Sequence, residues 1–333
     1  MGSFTLTLAN GATLTGWANL PIAPSTYPKY RPLMVGLHGG TYSSDYFHVD
    51  EKHTAAIASN ALGVPFVAIN RPGYKDSTSF DPIPEGSSYH ETYGEWLHKF
   101  ILPAVWGKFG VAQGCNGVVL LAHSLGVSGA VITAALHAHE TSEQERKPNY
   151  PLAGIIISGL GIQPVRERPA DRPPNEIPEF ITFPDDLKDD MFIPKGTCDP
   201  SIYKHTKRLN LPVPFREVQD AWDVWLPRVR TDWAPHVRAP VMIGLAERDI
   251  YWKGTEEHAR EFMAAFSASS RVDGSVVKGA PHNMEMSYWS QGWKTQNQVA
   301  NVWSMAHHSA VGGACVDYGS GASASQPTAS ILE

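Results

Sequence analysis

Apolar and polar positions first alternate along this chain, then collect into short apolar runs separated by stretches of helical spacing. Phe4, Leu6 and Leu8 alternate with threonines, Asn10-Gly11 supplies a tight-turn pair, and alternation resumes through Leu14 and Trp17. That pattern predicts an opening β-hairpin. Apolar runs at 32–37 and 64–69 flank a stretch, 49–62, whose apolar positions recur at helical spacing. Strand, helix, strand is the grammar of a parallel sheet.

The unit repeats. A helix over about 89–108 aligns Tyr89, Tyr93, Trp96, Leu97, Phe100 and Ile101 on one face. A fully apolar strand, 118–122, leads into a small-residue helix over 125–137, and another strand runs from 153 to 157. Runs at 241–245 and 275–277 give the last two strands, with helices near 254–267 and 289–306. The sum is an α/β fold, doubly wound, with a mostly parallel sheet of about eight strands and helices on both faces.

The rhythm breaks between Gln163 and Pro240, where 13 of the 26 prolines fall in 78 residues. That density argues against continued sheet and against long helices. Residues 163–240 therefore read as an insertion into a core made of 1–162 and 241–308, and 309–333, rich in Ser, Gly and Ala, as a weakly ordered tail. The insertion carries Phe180, Phe183, Phe192, Tyr203, Phe215, Trp222, Trp225 and Trp233. These could form an apolar inner surface or a small core of the insertion itself.

Composition narrows the classes. The 333 residues carry a net charge of −6, with no run of Lys and Arg to hold a phosphate backbone or an anionic membrane. A nucleic-acid partner is thereby set aside. No stretch reaches the ~18 apolar residues of a membrane span, and the first residues lack the basic start and apolar run of a leader. The three cysteines, Cys115, Cys198 and Cys315, are far apart, so neither a disulfide framework nor a cysteine metal site is indicated. The expectation is a cytoplasmic protein without cofactor or metal, and its oligomeric state stays open.

The strongest chemical signal is Ala122-His123-Ser124-Leu125-Gly126, with an apolar strand before it and a small-residue helix after it. A serine between small residues at −2 and +2 can occupy a strained strand-to-helix turn. There its hydroxyl stands above the sheet edge and the next amide can bind an anion. A serine hydroxyl is a weak nucleophile at neutral pH and needs an imidazole, which in turn needs an acceptor to fix its tautomer. Asp249 follows the strand at 241–245 and His282 follows the strand at 275–277, so all three loops open on one edge of a parallel sheet. Glu247 is the rival acid. His38 reads as a brace for its turn, His123 has no assigned role, and Glu285 reads as a cap or a solvated group on the next helix.

These residues, with the His38-Gly39-Gly40 turn and Arg71-Pro72-Gly73-Tyr74, resemble the α/β-hydrolase superfamily in element order over about residues 4–306. The likeness implies Ser124 as nucleophile, His282 as general base then acid, and Asp249 as its orienting acid. It implies an oxyanion hole from the backbone amides of Leu125 and Gly40, with Thr41 as a neighbour that could substitute. It also makes the insertion a lid. Ala122, where glycine is commoner, departs little from the pattern. Members that open epoxides or remove halides attack with aspartate, so a serine at 124 argues against that chemistry.

The resulting expectation is a serine hydrolase acting on an ester, thioester or lactone of an apolar small molecule, polyketide-like by resemblance. Thr41, Tyr42, Trp222 and Trp225 are expected to touch the substrate. Two alternatives remain open at this level. The same residues could serve carbon–carbon cleavage, cyanohydrin lysis or intramolecular condensation, and a non-catalytic receptor could use the same pocket.

Overall fold

In the computed structural model, residues 1–22, 30–143, 148–166 and 178–290 are described. The opening hairpin pairs β1 (Gly2–Thr7) with β2 (Thr13–Asn19) in register Leu6↔Leu14, and Gly11 takes φ +81° in the turn. β2 then runs antiparallel to β4 (Phe66–Ile69). The remaining strands are parallel: β3 (Pro32–Leu37), β4, β5 (Gly117–His123), β6 (Leu152–Ser158), β9 (Val241–Arg248) and β10 (Val272–Pro281). The order across the sheet is β1-β2-β4-β3-β5-β6-β9-β10. Every residue of β5 and β6 is buried, as expected of continuous apolar runs in a sheet covered on both faces.

The helices follow the sequence with adjustments. The helical stretch expected from 49 begins only at α1 (Ala56–Leu62). Asp50 accepts from the amides of Lys52 and His53, and Val49 N donates to His53 O, so a tight turn replaces the first helical turns. α2 (Tyr89–Trp96) starts from a reciprocal Ser88–Glu91 cap and continues through wider turns to Gly110. α3 (Gly126–Glu143) outruns its expected end. The helix expected near 289–306 and the tail at 309–333 lie, from residue 291 onward, outside the described residues.

Within the insertion, β7 (Phe180–Ile181) pairs with β8 (Val213–Pro214), and α4 (Asp185–Phe192) lies between them. Long helix was not expected there, yet a continuous helical run extends from α5 (Phe215–Asp220) to His236. It tolerates Pro227 and Pro235 because five-residue π-turns precede them, at 221–225 and 229–233. The wider turn relieves the clash of a proline ring with the carbonyl one turn back. α6 (Glu256–Ala265), capped by Thr255, packs beside β10. Among the described residues, no helix is long and apolar enough to cross a membrane.

Candidate active site

Ser124 sits between the end of β5 and the start of α3 with φ +49°, a left-handed conformation that costs a non-glycine residue ~1–2 kcal/mol. The surroundings hold it there. Ser124 N donates to Ser158 O at 2.8 Å, at the end of the neighbouring β6. A Cβ on Gly126 would lie 2.7 Å from both His38 O and Leu37 O, so only glycine lets the elbow close against β3. Likewise a Cβ on Gly39 would fall 2.9 Å from Ser124 Cβ. These contacts bring the 38–41 turn onto the serine.

His282 Nε2 lies 3.2 Å from Ser124 Oγ, and His282 Nδ1 lies 2.8 Å from Asp249 Oδ2. Asp249 Oδ1 accepts from the backbone amides of Tyr251 and Trp252 at 2.8 and 3.2 Å, which fixes the carboxylate toward the ring. With Nδ1–H donated to Asp249, Nε2 is left as the acceptor facing the hydroxyl. Glu247, the rival acid, is instead engaged elsewhere: it accepts from Gly279 N at 2.7 Å and pairs with Lys278 at 3.1 Å.

A cavity of about 100 Å³ opens over Ser124 Oγ. Gly40, Leu125, Thr41, Tyr42, Trp222 and Trp225 all line it. Leu125 and Gly40 face each other so closely that a Cβ on Gly40 would lie 2.8 Å from Leu125 Cδ1. Sequence reasoning missed other walls: Leu160, Val213, Tyr251, Trp252 and Asn283. Three of these had a local signal, since Tyr251 and Trp252 come two and three residues after the acid and Asn283 follows the histidine. Among the described residues, no Lys, Arg, Asp or Glu side chain lines the cavity. Of the insertion aromatics, Phe183 and Phe192 also face it, whereas Phe180 is exposed and Trp233 stacks on Trp225 at 5.2 Å.

A model of the alpha/beta hydrolase family matches residues 34–291. The chain belongs to that family. No curated protein matches it in sequence. Among solved structures it is similar to a candidate epoxide hydrolase from Pseudomonas aeruginosa, at 15% identity and a TM-score of 0.56, covering 92% of this chain and 97% of that one. It is also similar to a thermophilic esterase from Thermogutta terrifontis, at 14% identity and a TM-score of 0.53, covering 91% and 100%. A third is the monoacylglycerol lipase of Paleococcus ferrophilus, at 15% identity and a TM-score of 0.54, covering 88% and 98%. At such identities the likeness is one of fold.

This alpha/beta hydrolase carries a second buried polar network beside His282. Glu285 was expected to cap or solvate the next helix, but it is buried, accepting from Tyr46 OH at 2.6 Å and from the Ser158 hydroxyl. Its Oε2 lies 3.3 Å from His123 Nδ1, and His123 Nε2 is 3.0 Å from the carboxamide of Asn283. Burial pushes the His123 imidazole down to about 4, against the pull of Glu285, so it is neutral at pH 7. Its ring centre is 5.0 Å from that of His282, so a neutral neighbour spares His282 a like charge. His38 braces its turn: Nε2 accepts from Arg71 N at 3.1 Å and Nδ1 lies 2.7 Å from Gly39 O. Burial lowers its pKa well below the usual imidazole range.

Proposed function

We propose that the chain is a serine hydrolase cleaving an ester, thioester or lactone of a small, neutral, apolar compound through an acyl-Ser124 intermediate. The observation that carries the reading is the continuous relay from Asp249 through His282 to Ser124 Oγ, at 2.8 and 3.2 Å, on a strained turn above the sheet edge. His282 Nε2 takes the hydroxyl proton as Ser124 Oγ attacks the carbonyl carbon. The tetrahedral oxyanion is held by the amides of Leu125 and Gly40. As the intermediate collapses, His282 returns the proton to the leaving oxygen or sulfur, and a water activated by the same ring then releases the acid. Epoxide opening through an aspartyl ester is not part of the reading, because the elbow residue is serine.

Residues 178–240 act in this reading as a lid whose aromatic face closes the cavity. An apolar cavity has been seen to hold benzene at ~150 Å³, so about 100 Å³ suits a short acyl chain or one compact branch. Uncharged walls favour a neutral substrate, since a charge placed there would lose its hydration without a partner. The test is covalent labelling by an organophosphonate. The wild-type chain should gain the probe's mass at Ser124 and Ser124→Ala should not; a label on another serine refutes the nucleophile.

A further inference from the structure

We infer that Lys188, a lysine on the insertion helix α4, is a positioning residue that holds the Gly40-Thr41 turn in its oxyanion-binding conformation. The inference rests on the acyl-serine reading and adds to it a side chain of the insertion that does not line the cavity. α4 presents Asp185, Asp186, Asp189 and Asp190 around its surface, yet the Lys188 side chain turns inward and is only 1% exposed. Its ammonium nitrogen donates to Thr41 O at 3.1 Å and to Leu209 O, and lies 3.6 Å from the centre of the Tyr42 ring.

The acceptor explains the arrangement. Thr41 has φ +63°, a left-handed conformation strained for a β-branched residue, so surrounding bonds must enforce it. Its carbonyl takes two donors, Lys188 Nζ and Leu211 N at 2.8 Å, and both come from the insertion. Relaxing Thr41 to a negative φ would turn the Gly40–Thr41 peptide and, through the Gly40 Cα, shift the adjoining Gly40 amide relative to Ser124. Burial strips Lys188 of water and pushes its pKa down to about 7, with Asp189 and Asp185 opposing. A lysine kept at that cost is compensated by its two carbonyls and an aromatic face.

The experiment is a double-mutant cycle in the full chain, Lys188→Met against Thr41→Gly, read by short-ester kinetics and by the rate of phosphonate labelling. Removing one oxyanion donor outright costs ~100–1000-fold in kcat, so a displaced donor is expected to cost about 10–100-fold. KM should stay within about threefold, and the labelling rate should fall by the same factor as kcat. Glycine takes a positive φ unaided, so in the Thr41→Gly background the Lys188→Met effect should shrink to less than about threefold. If Lys188→Met loses its cooperative unfolding transition, Lys188→Gln replaces it on the same criteria. An unchanged kcat, a loss confined to KM, or equal losses in both backgrounds overturns the inference. Absence of label on Ser124 in the wild-type chain would instead overturn the acyl-serine reading, so the two failures are distinct.

Discussion

Replacing Glu217 by Gln probes how the insertion is fastened over the cavity. Glu217, on α5, and Arg71, just after β4, form a pair whose side chains are 0% and 1% exposed. Arg71 Nη1 and Tyr74 OH both donate to the carboxylate, the latter at 2.6 Å. The guanidinium also lies 4.7 Å from the Tyr74 ring centre and 5.3 Å from that of Tyr93. Among the described residues, Arg71 Nε and Nη2 have no hydrogen-bond partner, so Glu217 supplies most of what offsets the buried charge. Burial works against the cation, but the nearby Glu217 carboxylate prevails and the Arg71 pKa is raised. Glu217→Gln keeps the shape and removes the countercharge, which for a buried pair costs about 3–5 kcal/mol. At ~2–4 °C per kcal/mol in a large domain, Tm should fall by roughly 10 °C. Arg71→Met with Glu217→Leu removes both charges and should regain most of that loss. Thermal unfolding of the three proteins is the assay. A single variant within about 1 kcal/mol of wild type, or a double variant less stable than the single, would refute the argument.

The cavity of about 100 Å³ should make p-nitrophenyl butyrate a better substrate than the dodecanoate, by at least ~10-fold in kcat/KM, since methylenes beyond it would have to displace its walls; equal rates would sink the size argument. Gly126→Ala forces a Cβ to 2.7 Å from two backbone oxygens, which cannot swing away as a side chain would. Overpacking of this kind costs about 1–3 kcal/mol, and separating the elbow from β3 should abolish phosphonate labelling even where the variant stays folded. Lys188 sets a pH dependence of stability. Its folded-state pKa, about 7, lies below the unfolded value, so the unfolded chain holds the extra proton as pH rises from 7 toward 10. Wild type should therefore gain roughly 2–4 kcal/mol relative to Lys188→Met across that window in urea titrations; a constant difference would show that the lysine does not titrate there.

The sheet was legible because its central strands are continuous apolar runs, and the loops at their carboxyl ends inherit one edge from parallel pairing alone. Parallel pairing puts the loops of Ser124, Asp249 and His282 on that edge, and in the fold His282 lies within 3.2 Å of both partners. Sequence reasoning failed where side chains bond across long sequence distances. Glu285 reads as a surface carboxylate in a helical context, and only the fold brings Tyr46, 239 residues earlier in the chain, to its oxygen. Lys188 sits among four aspartates, a pattern that signals a solvated helix face, and nothing local reveals that it turns inward. The 215–236 helix was hidden for a different reason: proline statistics describe regular α-helix, and π-turns evade them.

The insertion is tied to the core on several sides of the cavity at once. Beyond the Arg71–Glu217 pair, Asp220 accepts from Tyr89 N at 2.7 Å, Arg208 pairs with Asp45 at 2.6 Å, and Lys188 and Leu211 both bond Thr41 O. Raising the whole segment would break these together. Selection by size must then come from walls that stay in place: each methylene that fits gains ~0.8 kcal/mol of burial, and each one beyond the cavity must displace Trp222, Trp225 or Phe192. Because Lys188 and Leu211 connect those walls to Thr41, a substrate large enough to displace them would also loosen the turn that carries Gly40. Oversized esters should therefore lose kcat as well as binding.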